Sequence, residues 1–331
     1  MNRVYSPEFR PAVYGRDPCF SGNPVSLYMS LQHNSEVVRV DCMYLQQKNT
    51  SQISGTSWAE QWTRLKERHI RSIHTNNQKT FWDDPDNVSM YLENIQGDYS
   101  KMVDEQLRII DAPPGCSVLD IGSGPGTLAV PLAKQGCNVT VIEQAPLMCQ
   151  ALEEYRIQQD VPLIKIINRP WEDVTCDELR GLFDLIISSF SLTMTDIAGT
   201  IRMIQRISSG RVYLFWFLTL PSWAQMMQDL WPELHGREYY PTPLADCLWN
   251  VLYEMGIYAN LEVMEPAPPV FYESVVQAAR TIAKQFECTE EWQDKIIHEY
   301  LTKNVSITPD GRILAGGEHR SATIWWDNHR L

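Results

Sequence analysis

Three glycines at alternate positions, Gly122, Gly124 and Gly126, follow the apolar run 118–121 and precede a second apolar stretch, 128–133. Asp120 stands two places before the first glycine, and Ser123 and Pro125 fill the gaps. Glycine at such spacing lets a chain turn sharply and lay bare backbone against a ligand, in dihedrals that a Cβ would forbid. A carboxylate, Glu143, closes the next apolar run, 139–142, and Gln144 follows it. At the carboxyl end of a parallel strand, such an acid can accept both hydroxyls of a ribose. Spacing narrows the ligand: the dinucleotide pattern GxGxxG started at Gly122 meets Thr127, and started at Gly124 it meets Ala129. A nicotinamide dinucleotide is therefore disfavoured, and a phosphate loop ending in GK[ST] is absent.

The elements that must hold these groups alternate from residue 112 onward. Strands are expected at 118–121, 139–143, 163–168, 183–188, 212–220, 260–265 and 322–326, with helices at 128–135, 146–159, 176–182, 197–208 and 243–255. Two further helices, 273–286 and 290–304, interrupt the alternation before the last strand. Upstream, helical spacing of Trp58, Trp62, Leu65 and Ile70 predicts a helix from Ser57, with shorter pieces at 91–95 and 102–110. The first 50 residues are rich in proline and glycine and carry two strand-like runs, 25–31 and 37–45, read as a loop and β-hairpin. The resulting organisation is a β-rich arm over 1–55, a helical cap over 56–110 and an α/β domain over 111–331 with a helical insertion at 270–316.

The run VLDIGSGPG, with VIE at the next strand end, resembles the class I S-adenosylmethionine-dependent methyltransferases. The resemblance covers roughly residues 112–331. It implies a Rossmann-like seven-stranded sheet, mostly parallel with the last strand antiparallel, extended by the N-terminal helical and β segments and by the insertion. It implies further that Asp120, Gly122, Ser123, Gly124, Pro125 and Gly126 pass beneath the methionine and ribose of the cofactor. Glu143 would hold the ribose hydroxyls beside Gln144. Glu172 or Asp173 would lie at the adenine edge, and Trp171 or Met148 would pack on the ring. For Trp171, a place in the core is an equal expectation. Ser188 and Ser189, in the segment SSFS that ends the fourth strand, would lie beside the methyl group. The family's amine-methylating enzymes resemble one another in [DNS]PP[YFW] at this point, and its base C5-methylating enzymes in a Pro-Cys; SSFS matches neither. The string Phe81-Trp82-Asp83-Asp84-Pro85, followed by Tyr91, is similar to the segment that closes over the cofactor in many small-molecule methyltransferases. Tyr91 would then face the cofactor, and together with the 273–304 helices this segment would form a lid.

Methyl transfer from a sulfonium is an in-line displacement, so the protein mainly aligns the acceptor and excludes water. A neutral hydroxyl or an ammonium acceptor needs a base. His235, between Leu234 and Gly236 in a loop, and His319, in Gly-Gly-Glu-His-Arg, are the candidates. Trp216, Phe217, Trp223, Trp231, Tyr239 and Tyr240 are the aromatic candidates for an acceptor pocket, with Glu318 and Arg320 flanking His319.

Charge bounds the partners. The chain has 331 residues and a net charge of −13, which repels polyanions. The basic stretch Arg64, Lys66, Arg68, His69, Arg71, His74, Lys79 reads chiefly as a solvated helix face, with a substrate-steering or partner-binding face as the alternative. A small-molecule acceptor is expected first, a protein second and RNA third, with a non-catalytic cofactor-binding relative as the other class. The eight cysteines show no CxxC pair, so neither a zinc site nor a disulfide framework is signalled. A cytoplasmic protein without membrane spans is expected, with homodimerisation through the N-terminal arm as an option.

Overall fold

The strand Ser117–Ile121 (β1) runs through the middle of a seven-stranded sheet, with only its first residue partly open to solvent. The computed structural model describes residues 56–73, 81–97, 99–179, 181–267, 270–309, 311–315 and 317–328. The arm over 1–55, its hairpin and its dimerisation role lie outside the described residues.

Three helices come first: Trp58–Ile73 (α1), Pro85–Gln96 (α2) and Ser100–Ile109 (α3), with a 3-10 turn at Phe81–Asp83. After β1 come Ala129–Lys134 (α4), Asn138–Ile142 (β2), Pro146–Gln158 (α5), Lys165–Ile167 (β3), Cys176–Leu179 (α6), Phe183–Ser189 (β4), Ile197–Ile207 (α7) and Ser208–Phe217 (β5). Then follow Ser222–His235 (α8), Ala245–Glu254 (α9), Asn260–Val263 (β6), Val270–Tyr272 (β7), Val275–Gln285 (α10), Glu291–Asn304 (α11), Ser306–Ile307 (β8), Ile313–Ala315 (β9) and Ser321–Asp327 (β10).

The strand order is β3-β2-β1-β4-β5-β10-β6. Strands β1 to β5 pair in parallel, and β10 runs antiparallel to both β5 and β6. The chain steps outward from β1 to β3, then returns to β4 on the other side of β1. A crevice must open where the two halves diverge, at the carboxyl ends of β1 and β4, and this is where open α/β sheets bind ligands.

Both faces of the sheet are covered, which is why its strands read as continuous apolar runs. One face packs Leu119, Ile186 and Leu214 against Ile197, Ile201 and Ile204 of α7, Leu248 and Val251 of α9, and Trp62 of α1. The other packs Val118, Val141 and Phe215 against α4, Leu152 of α5 and the apolar side of α3. Each such aliphatic side chain, fully buried, contributes on the order of 2 kcal/mol. On α7 the isoleucines recur at helical spacing, and the Asp196 carboxylate accepts the Gly199 N–H at 2.8 Å to cap its first turn.

Two departures from the sequence reading concern elements. The aromatic stretch after β5 is a helix, α8, with Pro232 inside it and Gly236 in the left-handed region (φ +67°) ending it. His235 is therefore the last residue of a helix and does not lie in a loop. The insertion before β10 is not wholly helical: β7, β9 and β8 form a small antiparallel sheet beside α10 and α11. Helices α8, α10 and α11 share a third core around Trp231, Leu234, Ile282, Phe286 and Ile297. At the foot of β1 and β2, the Cys116 and Cys137 thiols lie 3.3 Å apart, free and buried. Among the described residues, no helix is long and apolar enough to cross a membrane.

Candidate active site

The three glycines of the loop after β1 all take left-handed backbone: φ is +70° at Gly122, +54° at Gly124 and +81° at Gly126. Their surroundings assign them different jobs. A Cβ on Gly122 would lie 2.4 Å from Ser191 Cβ, and one on Gly126 would lie 2.8 Å from Leu152 Cγ. Those two let neighbouring elements close onto the loop. A Cβ on Gly124 would meet nothing within 4 Å. At Gly124 the loop is bare toward open space, a cradle that a side chain would fill.

Glu143 begins where β2 ends. Its Oε2 accepts the Gly124 N–H and its Oε1 the Ala145 N–H, each at 2.8 Å. Burial holds its carboxyl above the ordinary range, and the N–H groups of Ala145, Gly124 and Gln144 pull it partly back. Asn168, just past β3, donates from Nδ2 to the carbonyls of Glu143 and Gln144 at 2.8 and 3.1 Å. Asp120 lies buried beneath the loop, pushed up to about 7 first by burial and then by the charge of Glu143. Pro125 is buried in the loop, and Ser123 is buried with its hydroxyl unpartnered.

Across the crevice, β4 ends in a serine brace. Ser188 is fully buried, its hydroxyl 2.8 Å from that of Ser191, which donates to the Ile121 carbonyl at 2.6 Å. Ser188 is thus linked through Ser191 to β1. Ser189 Oγ accepts from Nε2 of Gln106, a buried residue of α3.

The Phe81–Asp83 turn and α2 cover the glutamate. Trp82, Val88, Tyr91 and Leu92 pack with Ala145, Leu147 and Met148 at the start of α5. The rings of Trp82 and Tyr91 meet edge-on at 5.1 Å. Burial raises the Tyr91 phenol to about 12, with Glu143 the next cause. Asp84 caps α2 through the Asp86 N–H (2.8 Å), and Lys284 of α10 reaches Asp86 at 2.6 Å. Tyr91 and Met148 are thereby brought together with Glu143. Trp171 is not: it sits in the core on the α7 side, its indole N–H donating to Thr200 Oγ1 at 3.2 Å. Its expected place on an adenine ring gives way to core packing. Glu172, next to it, is exposed.

The two histidines part company. His235 lies against Trp231, with ring centres 4.1 Å apart and tilted by 45°, and its Nε2 is 2.8 Å from the Phe286 carbonyl. Those contacts belong to the α8–α10 layer. His319 precedes β10, whose antiparallel course brings its start to the end of β5. It is 6% exposed, its ring 5.9 Å from that of Phe217. Its ring nitrogens have no hydrogen-bond partner among the described residues, and burial lowers its pKa. Phe217 also meets Phe190 (5.0 Å), Trp216 (5.3 Å) and Trp223 (6.3 Å). Phe190, just past β4, is itself left-handed at φ +52°, a strained backbone for an aromatic residue. Trp231 belongs instead to the third core, and Tyr239 borders both that core and His69 of α1, at 5.8 Å between rings.

Sequence reasoning missed Gln106 and Asn168, and named Lys66 only as one member of a basic stretch. Gln106 and Asn168 carry no local signal, because their partners are distant in the chain. Lys66 had one: it lies one helical turn from Trp62, on the apolar face of α1. Lys66 and His69 are consequently turned inward, whereas Arg64, Arg68 and Arg71 are exposed, so the expected solvated basic face holds only in part.

A parallel sheet with one antiparallel strand, a glycine crevice at its switch point and an acid at the end of β2 define a Rossmann-like methyltransferase fold. Residues 118–209 match the family described as "Methyltransferase domain". An uncharacterized protein of Haemophilus influenzae is 27% identical over 271 residues, covering 81% of this chain and 96% of that protein. A putative methyltransferase of Bacillus halodurans C-125 is 10% identical, covering 69% and 99%, with a TM-score of 0.48. The magnesium protoporphyrin IX methyltransferase of Synechocystis PCC 6803, solved with bound SAH, is 12% identical, covering 80% and 96%, with a TM-score of 0.42.

Proposed function

We propose that the protein transfers the methyl group of S-adenosylmethionine to a small-molecule acceptor held between the ends of β4 and β5, with His319 as the base. The observation that carries the reading is the pairing of the open cradle at Gly124 with the Glu143 carboxylate on its N–H. That pairing fits an adenosyl ligand: the carboxylate can exchange backbone donors for ribose hydroxyls without moving far, and the unpartnered Ser123 hydroxyl lies on the same loop. When bound, the cofactor supplies an electrophilic methyl on a sulfonium whose departure leaves a neutral thioether.

The chain's own residues do the rest. Glu143 and the loop from Asp120 to Gly126, with Gln144 at its rim, bind the nucleoside part. Trp82, Tyr91 and Met148 shield it from water. Phe190, Trp216 and Phe217 give the acceptor apolar walls. His319, kept neutral by burial, can take a proton from an acceptor hydroxyl or ammonium at an unpartnered ring nitrogen. An aromatic wall of this kind favours a small acceptor over a polymer, and the acidic net charge disfavours RNA.

The test is incubation of the purified protein with methyl-labelled S-adenosylmethionine and a cell extract split by size. Label is expected in the small-molecule fraction, and His319→Gln should lower its rate about a hundredfold while leaving S-adenosylhomocysteine affinity unchanged. Label appearing only in protein or RNA would overturn the small-acceptor reading; an unchanged rate would remove His319 as the base.

A further inference from the structure

Lys66 is a buried cation without an anion. It is 4% exposed, and its Nζ donates to Thr242 Oγ1 at 3.0 Å and stands 5.8 Å from the centre of the Trp216 ring. No carboxylate of the described residues pairs with it; the acid that acts on it most is Glu172, which is exposed. Burial pushes the ammonium down only to about 8, so it stays mostly charged at neutral pH. An uncompensated ammonium inside a protein costs several kcal/mol, and such groups are retained where something pairs with them.

The surroundings indicate what that partner is. One turn along α1, His69 gives Nδ1 to the Tyr240 carbonyl (2.8 Å) and is held neutral near 4, so it is no competing charge. Its ring meets the edge of Tyr239 at 5.8 Å, and Tyr239 is 3% exposed with a hydroxyl that has no partner. An ammonium and a spare phenol, both donors and both buried, therefore flank the same stretch of α1. The Trp62 indole donates to the Met194 carbonyl (2.9 Å) and Thr63 to that of Thr195 (2.8 Å), which seats α1 on the segment leaving β4. Trp216, beneath Lys66, abuts Phe217 and through it His319.

We propose that Lys66, assisted by the Tyr239 hydroxyl, is the recognition site for a carboxylate carried by the methyl acceptor, which is thus a planar or aromatic acid seated on Trp216. This rests on the reading of the site as a methyltransferase acceptor pocket. The cofactor has a carboxylate too, so the test separates the two sources.

Calorimetry on the full chain uses 2-naphthoate and its neutral counterpart 2-naphthalenemethanol as probes, in the presence of S-adenosylhomocysteine. The wild type should prefer the carboxylate by at least about tenfold. Lys66→Met should erase that preference, Lys66→Arg should keep most of it, and Tyr239→Phe, which removes one oxygen and leaves the packing, should reduce it by about threefold. Absence of a preference in the wild type, or its persistence in Lys66→Met, would overturn the proposal. So would a Lys66→Met protein that loses affinity for S-adenosylhomocysteine but not for 5′-methylthioadenosine, since the lysine would then serve the cofactor's carboxylate. Should Lys66→Met not fold, the wild-type preference and its reduction in Tyr239→Phe still decide. Failure of the wild type to bind S-adenosylhomocysteine at all would instead strike the underlying methyltransferase reading.

Discussion

Gly122 and Gly124 have the same residue type and the same backbone sign, yet the structure gives them different consequences. Alanine at Gly122 drives a Cβ into Ser191, whose hydroxyl ties β4 to β1. Alanine at Gly124 meets open space and bears only the left-handed penalty of about 1–2 kcal/mol. Thermal unfolding should show Gly122→Ala melting well below Gly124→Ala; equal melting temperatures would contradict the close approach. Asp120 gives a pH signature. Its carboxyl rises from 3.8 to about 7 on folding, so the folded state binds its proton more tightly. That contribution is full below about pH 4 and is lost as pH climbs through about 7. Relative to Asp120→Asn, the wild-type melting temperature should fall by a few degrees between pH 5 and pH 8. A constant difference would show that Asp120 titrates normally. At this scale the glycines and Glu143 were legible because turn chemistry and strand ends are local. Ser188 and Trp171 were not: Ser188 is spent on Ser191, which in turn reaches the distant Ile121 carbonyl, and Trp171 on Thr200 of α7.

Among the elements, the turn at Phe81–Asp83 and α2 act as a cover whose contact with α5 is small, a cluster of Trp82, Val88, Tyr91 and Leu92 against Ala145, Leu147 and Met148. A cover so lightly held can open for cofactor exchange. Trp82→Ala should therefore speed S-adenosylhomocysteine release about tenfold in stopped-flow while shifting the melting temperature little. An unchanged release rate would place this segment outside the cofactor's path. The FW–acidic–Tyr string singled out this segment through a family resemblance, and Asp84 and Pro85 start its helix locally. Helix α8 was not read as a helix: Pro232 stands inside it and argued for a loop. Strands β7, β8 and β9 are two or three residues long, too short for alternation to register.

For the molecule as a whole, net charge and sheet order are the governing features. With −13 overall, and with Asp120 and Glu143 beneath the loop, the field favours a cationic ligand over its neutral counterpart. S-adenosylmethionine should therefore lose affinity relative to S-adenosylhomocysteine as salt rises from about 0.05 to about 0.5 M, because screening weakens only the charge-dependent part. A salt-independent ratio would contradict that field. The alternation of strands and helices was legible in the apolar runs and the antiparallel last strand came from the family resemblance; the reversal between β3 and β4 fixes where the crevice lies. The burial of Lys66 was less accessible: a basic run on a helix reads as solvated until Trp216 and Thr242, far along the chain, are seen to enclose one of its members.

The central claim is that Gly124 and Glu143 together hold an adenosyl cofactor. Calorimetric titration of S-adenosylhomocysteine into the Gly124→Val, Glu143→Ala double variant, with folding checked by circular dichroism, tests it most directly. Binding seen in the wild type should be abolished in the folded variant; unchanged affinity would contradict the assignment.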